Sequence, residues 1–382
     1  MSIIKIIKKK ESLMPRKSLK QPDEQKINLN FPLETELVGL EFTLIPEENT
    51  SIYAQYTIGL HAWFLDQVRA LDPQLSAYLH DGESEKPFTI SALNGELFSS
   101  GRQIQLTTNN SYTWYVTILS AQVIPWLNQW LENLPPAVNL RHSLLNISSC
   151  KVIHPATTYR ELLDSPHSDN VTLRFLSPTS FRRKGHHLPL PIPVNVFHSY
   201  LRRWNDFSGQ PVDQEEFLNW IDDNVVITRH HLTSNKVLAG KKGAVTGFTG
   251  AIEYSLTKAA SEKPEYEKLF YALGKLAPYC GTGHKTTFGL GQTRCGWSTQ
   301  TAPVIPVVEN ILAQRIEELT EIFKAQRKRT GGERATEIAE KWATILARRE
   351  MGESLLVIAQ DLEIPYETVK TYAKLARRAL KE

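Results

Sequence analysis

Hydrophobic and polar positions change period several times along the chain, and each change predicts an element. Val38, Leu40, Phe42 and Leu44 alternate with their neighbours at the two-residue period of a half-buried strand. Leu60, Trp63, Phe64, Val68 and Leu71 follow at helical spacing, and Val123, Ile124, Leu127, Trp130 and Leu131 repeat it. Residues 88–91 and 112–118 between these helices read as strands, and a last strand is expected near 151–153. The order β-α-β-β-α-β is the split unit of a ferredoxin-like fold. A second round follows. Val171, Leu173 and Phe175 alternate, and Val194, Phe197, Leu201 and Trp204 mark a helix. Residues 225–227 and 250–256 read as strands, Leu269, Phe270, Leu273 and Leu276 mark another helix, and a Gly-rich strand is predicted to end near Thr293. The expected class is α+β: tandem ferredoxin-like units, their sheets side by side, with a groove between them for an extended ligand.

The two ends differ from this middle. Residues 1–30 are polar and basic, with Pro15 and Pro22, and read as a flexible arm. Residues 307–350 are helical and rich in Ala, Glu and Arg, with a break at Thr330, Gly331 and Gly332. Beyond them Leu355, Ala359 and Leu362 form one apolar face. Glu363, Ile364 and Pro365 make a short turn, and Val369, Tyr372, Leu375 and Ala376 form a second face. That is helix-turn-helix spacing. The expected division is an arm (1–30), two ferredoxin-like domains (31–155 and 156–300) and a helical extension (301–382).

Composition narrows the class. With 382 residues, 41% hydrophobic and 22% charged, the chain is no fibre, mostly disordered segment or disulfide scaffold. No stretch approaches the roughly 18 apolar residues of a membrane span, so no membrane partner is expected. The basic start lacks the apolar core of a secretory signal. Cys150, Cys280 and Cys295 are odd in number and far apart, which fits a reducing cytoplasm. The net charge of +3 hides an asymmetry: +5 over residues 1–30, −8 over 31–150, +5 over 151–300 and +1 over 301–382. A polyanion would be held by the arm and the middle of the chain.

Candidate chemistry centres on the run from Pro278 to Thr293. Gly281, Gly283, Gly289 and Gly291 leave backbone N–H groups without side-chain cover, which suits a phosphate cradle, and Lys285, Thr286 and Thr287 add donors. The competing reading is a tight turn and a kinked strand. It is not a Walker A loop, because His284 separates Gly283 from Lys285. The pairs His186–His187 and His230–His231 lack a completing carboxylate pair, and Cys280 and Cys295 lack a C-x-x-C partner, so no metal or cofactor is expected.

A helix followed by Gly-x-Gly, a polar run and Gly-x-Gly, ending a second ferredoxin-like unit, resembles the CRISPR-associated endoribonucleases of the RAMP superfamily that cut precursor CRISPR RNA within its repeats. Residues 172–180 (TLRFLSPTS) and 247–254 (GFTGAIEY) resemble strands of that second unit, and in the first unit residues 75–81 (LSAYLHD) and 86–91 (KPFTIS) resemble the family's catalytic-face segments. The match runs over about residues 36–296. It implies cleavage without a metal, by attack of the 2′-OH, to leave a 2′,3′-cyclic phosphate and a 5′-OH. Many members carry a histidine and, six residues later, a lysine; His80 and Lys86 stand there. Histidine suits the proton transfers and lysine the charge on phosphorus. Many also carry a tyrosine fifteen residues before the histidine, where this chain has Leu65. His61, on the same predicted helix, reads as a partly buried residue of an amphipathic face.

The resemblance turns the basic clusters into candidate RNA contacts: Arg182, Arg183 and Lys184 after the first strand of the second unit, and Arg229, His231, Lys236, Lys241 and Lys242 on the central hairpin, together with the Gly281–Gly291 loop. CRISPR repeat RNA is the expected partner, and subunits of a CRISPR effector complex are further ones. The C-terminal helices resemble the DNA-binding domains of sigma factors and response regulators. Lys370, Lys374, Arg377 and Arg378 would meet duplex nucleic acid there, against the alternative of a packing appendage. Two other functions stay open: a non-catalytic repeat-RNA-binding subunit, motivated by Leu65, and a DNA-binding regulator.

Overall fold

The computed structural model describes residues 29–80, 85–141, 143–166, 169–183, 186–238, 240–298, 305–326 and 333–380. Nearly all of the expected arm lies outside them. The first unit runs β1 (Leu37–Pro46), β2 (Thr50–Ile52), α1 (Tyr56–Leu71), α2 (Pro73–His80), β3 (Phe88–Ile90), β4 (Phe98–Ser100), β5 (Gln103–Leu106), β6 (Tyr112–Ile118), α3 (Ile124–Glu132), β7 (Ala137–Leu140) and β8 (Ser143–Thr157). Its main sheet has the order β3-β6-β1-β8-β7, with antiparallel neighbours. Without the edge strand β7 this is the ferredoxin-like order. Leu60, Phe64 and Val68 of α1 and Leu127, Trp130 and Leu131 of α3 cover one face, where Phe42 lies 5.3 Å from Trp114 and 5.5 Å from Trp130 between ring centroids. β8 is much longer than the expected 151–153: it pairs with β7 at its start and with β1 along its length, and there the apolar Leu144, on the exposed side between the inward Ser143 and Leu145, blurs the two-residue period in the sequence.

The second unit runs α4 (Tyr159–Asp164), β9 (Asn170–Thr179), β10 (Phe181–Arg183), β11 (His186–Leu188), α5 (Pro193–Phe207), α6 (Gln214–Asn224), β12 (Val225–Leu238), β13 (Ala244–Leu256), α7 (Pro264–Cys280) and β14 (Thr293–Cys295). Its sheet order, β12-β13-β9-β14, repeats the first unit's. One expectation is corrected. The final strand begins at Thr293 rather than ending there, because Gly281, Gly283, Gly289 and Gly291 all take positive φ, which a strand does not accommodate.

The extension is four helices, α8 (Val307–Ala325), α9 (Glu333–Glu350), α10 (Leu355–Leu362) and α11 (Tyr366–Ala379). Val308, Leu312, Ile316, Leu319 and Phe323 of α8 and Ala339, Ala343 and Leu346 of α9 join the core of the first unit. Ile345, Ile358, Ala359, Val369 and Ala373 make a separate small core among α9, α10 and α11. Between α10 and α11, Glu363 turns the chain in the left-handed conformation (φ 54°). The fully buried Arg348 holds Glu353 at 2.5 Å and also Asp361, and Asp361 is paired with Arg141 from the turn between β7 and β8. A buried guanidinium is tolerated when its donors are spent on carboxylates in this way. Among the described residues no helix is long and apolar enough to cross a membrane.

Candidate active site

The Gly-rich loop joins the two units. Gly289 pairs with Ser91 in a parallel bridge, its N–H donates to Ile90 O at 3.0 Å, and Ile90 N donates to Thr286 O at 3.0 Å, so the loop lies along the edge of β3. Thr117 Oγ1 donates to Tyr279 O at 2.5 Å, and His61 Nδ1 donates to Thr287 O at 3.0 Å. The glycines are required by close approach of backbone. A Cβ on Gly291 would stand 2.0 Å from Thr282 O, and one on Gly283 would stand 2.3 Å from Ser180 O.

This corrects the phosphate-cradle reading. Gly281 N donates to Ala277 O (2.9 Å), Gly283 N to Ser199 Oγ (2.8 Å), Gly289 N to Ile90 O (3.0 Å) and Gly291 N to Pro178 O (3.1 Å). All four N–H groups are spent within the protein, so none is left for an anion. The competing reading, a loop shaped by tight backbone packing, is the one the structure bears out. Thr286 and Thr287 are buried in the joint, whereas Lys285 is exposed.

A clamp from α5 orders the segment beside the loop. Glu85 meets Arg202 at 2.8 Å and Arg203 at 3.5 Å, and its N–H donates to Asp206 at 3.0 Å. Arg203 is only 3% exposed. It also donates to Ser199 O (2.7 Å) and Oγ (2.8 Å) and to Gly283 O (3.0 Å). One guanidinium thus ties α5, the Gly-rich loop and the chain that leads into β3. Lys86 is the next residue and is half-buried. His80 ends α2; its side chain and residues 81–84 lie outside the described ones. Leu65 is 7% exposed in the core of the first unit. His61, one helical turn earlier, stacks on Phe288 with 4.2 Å between ring centroids and lies 6.0 Å from Phe88. Donation of its Nδ1 proton to a carbonyl leaves Nε2 as the ring's acceptor.

The basic candidates divide into two groups. Lys285 keeps solvent access, but its side chain is packed along Gly240 and Phe288 and stands close to Arg182, Lys241 and Lys242; that partial desolvation first, and then those cations, push its ammonium pKa below the usual lysine value. Arg182 is exposed on β10, whereas Lys184 and the side chain of Arg183 lie outside the described residues. Arg229 lies over the Trp297 ring at 3.6 Å, and His231 is exposed on β12. Three hairpin lysines, however, meet the extension: Lys236 pairs with Glu317, Lys242 with Glu337 at 2.5 Å and Lys241 with Glu363 at 2.5 Å. On α11, Lys370, Lys374, Arg377 and Arg378 are all exposed.

Sequence reading missed Glu85, Arg202, Arg203 and Arg294. Arg294 of β14 crosses to the first unit, 4.8 Å over the Tyr115 ring, and donates to His154 Nε2. His154 is pushed down to about 3, by burial first and by the Arg294 charge second. No local motif marks such residues, since each partner lies far away in sequence. Among the described residues no group of three His, Cys, Asp or Glu is placed to hold a metal ion. A cavity of about 370 Å³, lined by Tyr53, Gln55, Tyr56 and Arg141, shares no residue with this joint.

Known proteins account for the two-unit arrangement. Residues 38–154 match the CRISPR Cas6 N-terminal domain and residues 173–293 match the CRISPR-associated endoribonuclease Cas6. The solved Cas6 (TTHB231) product complex is 25% identical with a TM-score of 0.56, over 68% of this chain and 100% of that one. The Cas6 (TTHA0078) product complex is 26% identical with a TM-score of 0.54, over 68% and 99%. Thermus thermophilus Cas6 (TTHB231) is 23% identical with a TM-score of 0.51, over 69% and 99%. No curated protein matches the chain. Both family models end by residue 293, so α8 to α11 lie beyond them. The chain belongs to the Cas6 family of CRISPR-associated endoribonucleases, whose members process CRISPR RNA.

Proposed function

We propose that this Cas6 protein cuts precursor CRISPR RNA within its repeats without a metal ion. The 2′-OH beside the scissile phosphate attacks phosphorus. The P–O2′ bond forms, the P–O5′ bond breaks, and the products carry a 2′,3′-cyclic phosphate and a 5′-OH. One proton leaves the 2′-OH and another reaches the departing 5′-oxygen. His80 is assigned the proton work, and Lys86 the extra negative charge on phosphorus.

The observation that carries this reading is the hold of Arg202 and Arg203 on Glu85, between His80 and Lys86, against α5 and the Gly-rich loop. A positioned catalytic group needs such support, because a misplacement of about 1 Å costs on the order of a hundredfold in rate. RNA contact is assigned to Arg182, Arg183, Lys184 and Lys285 and to Arg229 and His231 on the hairpin. The mutual repulsion at Lys285 supports it, since a phosphate beside that cluster would relieve it. Lys236, Lys241 and Lys242 belong to the same surface but must first exchange their glutamates for phosphates.

The test is cleavage of a labelled repeat RNA in EDTA by wild type and His80→Ala, with end-group analysis. The expected result is a cyclic-phosphate product from wild type and a loss of about a hundredfold or more in the variant. Intact RNA at excess wild-type protein would instead support the alternative, a non-catalytic subunit that keeps repeat RNA within an effector complex. Leu65, buried where many members carry a tyrosine, favours that second reading.

A further inference from the structure

We propose that the outer face of α11 binds double-stranded DNA along its major groove, a function separate from RNA processing at the joint of the two units. The charges of the helix-turn-helix are sorted by direction. Of its acidic side chains, Glu353 and Asp361 are spent on Arg348 and Arg141, and Glu363 turns inward to Lys241 of the hairpin. Its basic side chains, Lys370, Lys374, Arg377 and Arg378, all stand on α11 and are all exposed. Lys370, Lys374 and Arg377 follow one another at one-turn intervals along an exposed flank of the helix, about 100° round from the buried Val369, Ala373 and Ala376, and Arg378 stands opposite that buried stripe. Glu367 is the one acid left on that face, 3.4 Å from Lys370. The inward side of this small domain is thus held to the protein by carboxylates, and the outward helix is left cationic.

Shape selects the polyanion. α11 has 14 residues, about 21 Å of helix, and a single convex helix fits the roughly 12 Å major groove of B-form DNA. The major groove of A-form RNA is too narrow to admit it. A single strand would call for a groove with stacking aromatics, whereas α11 exposes one aromatic ring, Tyr366, at its start. The buried Arg348 triad and the small core among α9, α10 and α11 hold the helix in a fixed orientation, so little order has to be gained on binding.

The experiment titrates the full-length chain into a mixed-sequence DNA duplex of roughly three helical turns, and into an RNA duplex of the same sequence, at several salt concentrations. Lys370→Glu/Lys374→Glu/Arg377→Glu is the comparison, and all three positions are exposed. Wild type is expected to bind DNA with a Kd on the order of 10⁻⁶ to 10⁻⁴ M, the range of non-specific duplex binding. The variant should bind at least about tenfold more weakly, with a salt slope shallower by roughly two to three. Its cleavage of repeat RNA should be unchanged, which also shows that the chain is folded. The proposal is overturned if the variant binds DNA as wild type does, if wild type shows no duplex binding in that range, or if the substitutions weaken binding of the RNA duplex as much as binding of the DNA. Failure of wild type to cleave repeat RNA would strike the proposed RNA chemistry and leave the duplex result standing.

Discussion

Lys241 Nζ, in the turn of the β12–β13 hairpin, lies 2.5 Å from Glu363 Oε1, in the turn of the helix-turn-helix. The same relation recurs at Lys236–Glu317 and Lys242–Glu337, so three lysines of the second unit are neutralised by a segment beyond the Cas6 models. These lysine side chains are 29–33% exposed and their glutamates 45–67%, which makes the pairs half-solvated and exchangeable. Pairs of this kind contribute about 0–1 kcal/mol each.

Removing the carboxylate charges should therefore release the lysines to RNA. In Glu317→Gln/Glu337→Gln/Glu363→Gln, repeat RNA is expected to bind roughly three- to thirtyfold more tightly, with a steeper salt dependence of up to about 0.7 per recovered phosphate contact. Unchanged affinity and slope would mean that these lysines hold the extension and nothing else.

His61 stands where α1, the start of β3 and the Gly-rich loop meet, one helical turn before Leu65. His61→Ala is expected to lower the single-turnover cleavage rate by about tenfold or more. If the loss is instead entirely in RNA affinity or in Tm, the imidazole is a packing element of the joint.

Glu85 and Arg203 separate positioning from folding. Arg203→Ala takes one of its two arginines from Glu85 and leaves Gly283 O without its buried donor, while Ser199 Oγ keeps the Gly283 N–H, and should cost about 1–3 kcal/mol of stability. Glu85→Gln keeps an acceptor for the buried guanidinium, so it should shift Tm far less than loss of the whole side chain while still slowing cleavage. Purified Glu85→Gln with the wild-type rate would remove the clamp from the catalytic argument.

Substitution of Gly283 or Gly291 by alanine sets a Cβ against a carbonyl oxygen at a positive φ. Each is expected to destabilise the chain by at least about 1–3 kcal/mol. Alanine at Gly101, where no atom lies within 4 Å, meets the φ penalty alone and should cost less. Equal Tm values for the three variants would contradict the close-approach account.

His154 predicts weakness toward acid. Its native pKa is held near 3, whereas the unfolded imidazole titrates near 6.5, so the unfolded chain binds the extra proton between those values. Stability from this group is complete above about pH 6.5 and falls by about 1.4 kcal/mol per unit as pH drops toward 3. Thermal melts of His154→Gln should show a flatter profile over that window; a profile parallel to wild type would assign the acid loss to other groups.

Local pattern was legible wherever one face of an element is buried. β6 coincides with the expected strand at residues 112–118, and α1, α3, α5 and α7 fall on the expected apolar stripes. The start of β8 went unread because its inward positions are Ser143, Leu145 and Ile147 while Leu144 is turned outward, so hydrophobicity along the sequence does not follow the burial. The glycines between Gly281 and Gly291 were recognisable as special, but their purpose was misread, because the partner of a backbone N–H depends on which distant segment lies against it.

The chain by itself determined the two ferredoxin-like units, their order, the helix-turn-helix and the family, because each rests on periodicity or a short motif. Only the tertiary structure decided that the glycine N–H groups serve the protein rather than a phosphate. It also decided that Arg203 binds the units together and that hairpin lysines meet glutamates of the extension. Apart from the Gly281 N–H, which caps its own helix, those relations join residues 80 or more positions apart, and such pairing is set by how whole elements pack rather than by any repeat along the chain.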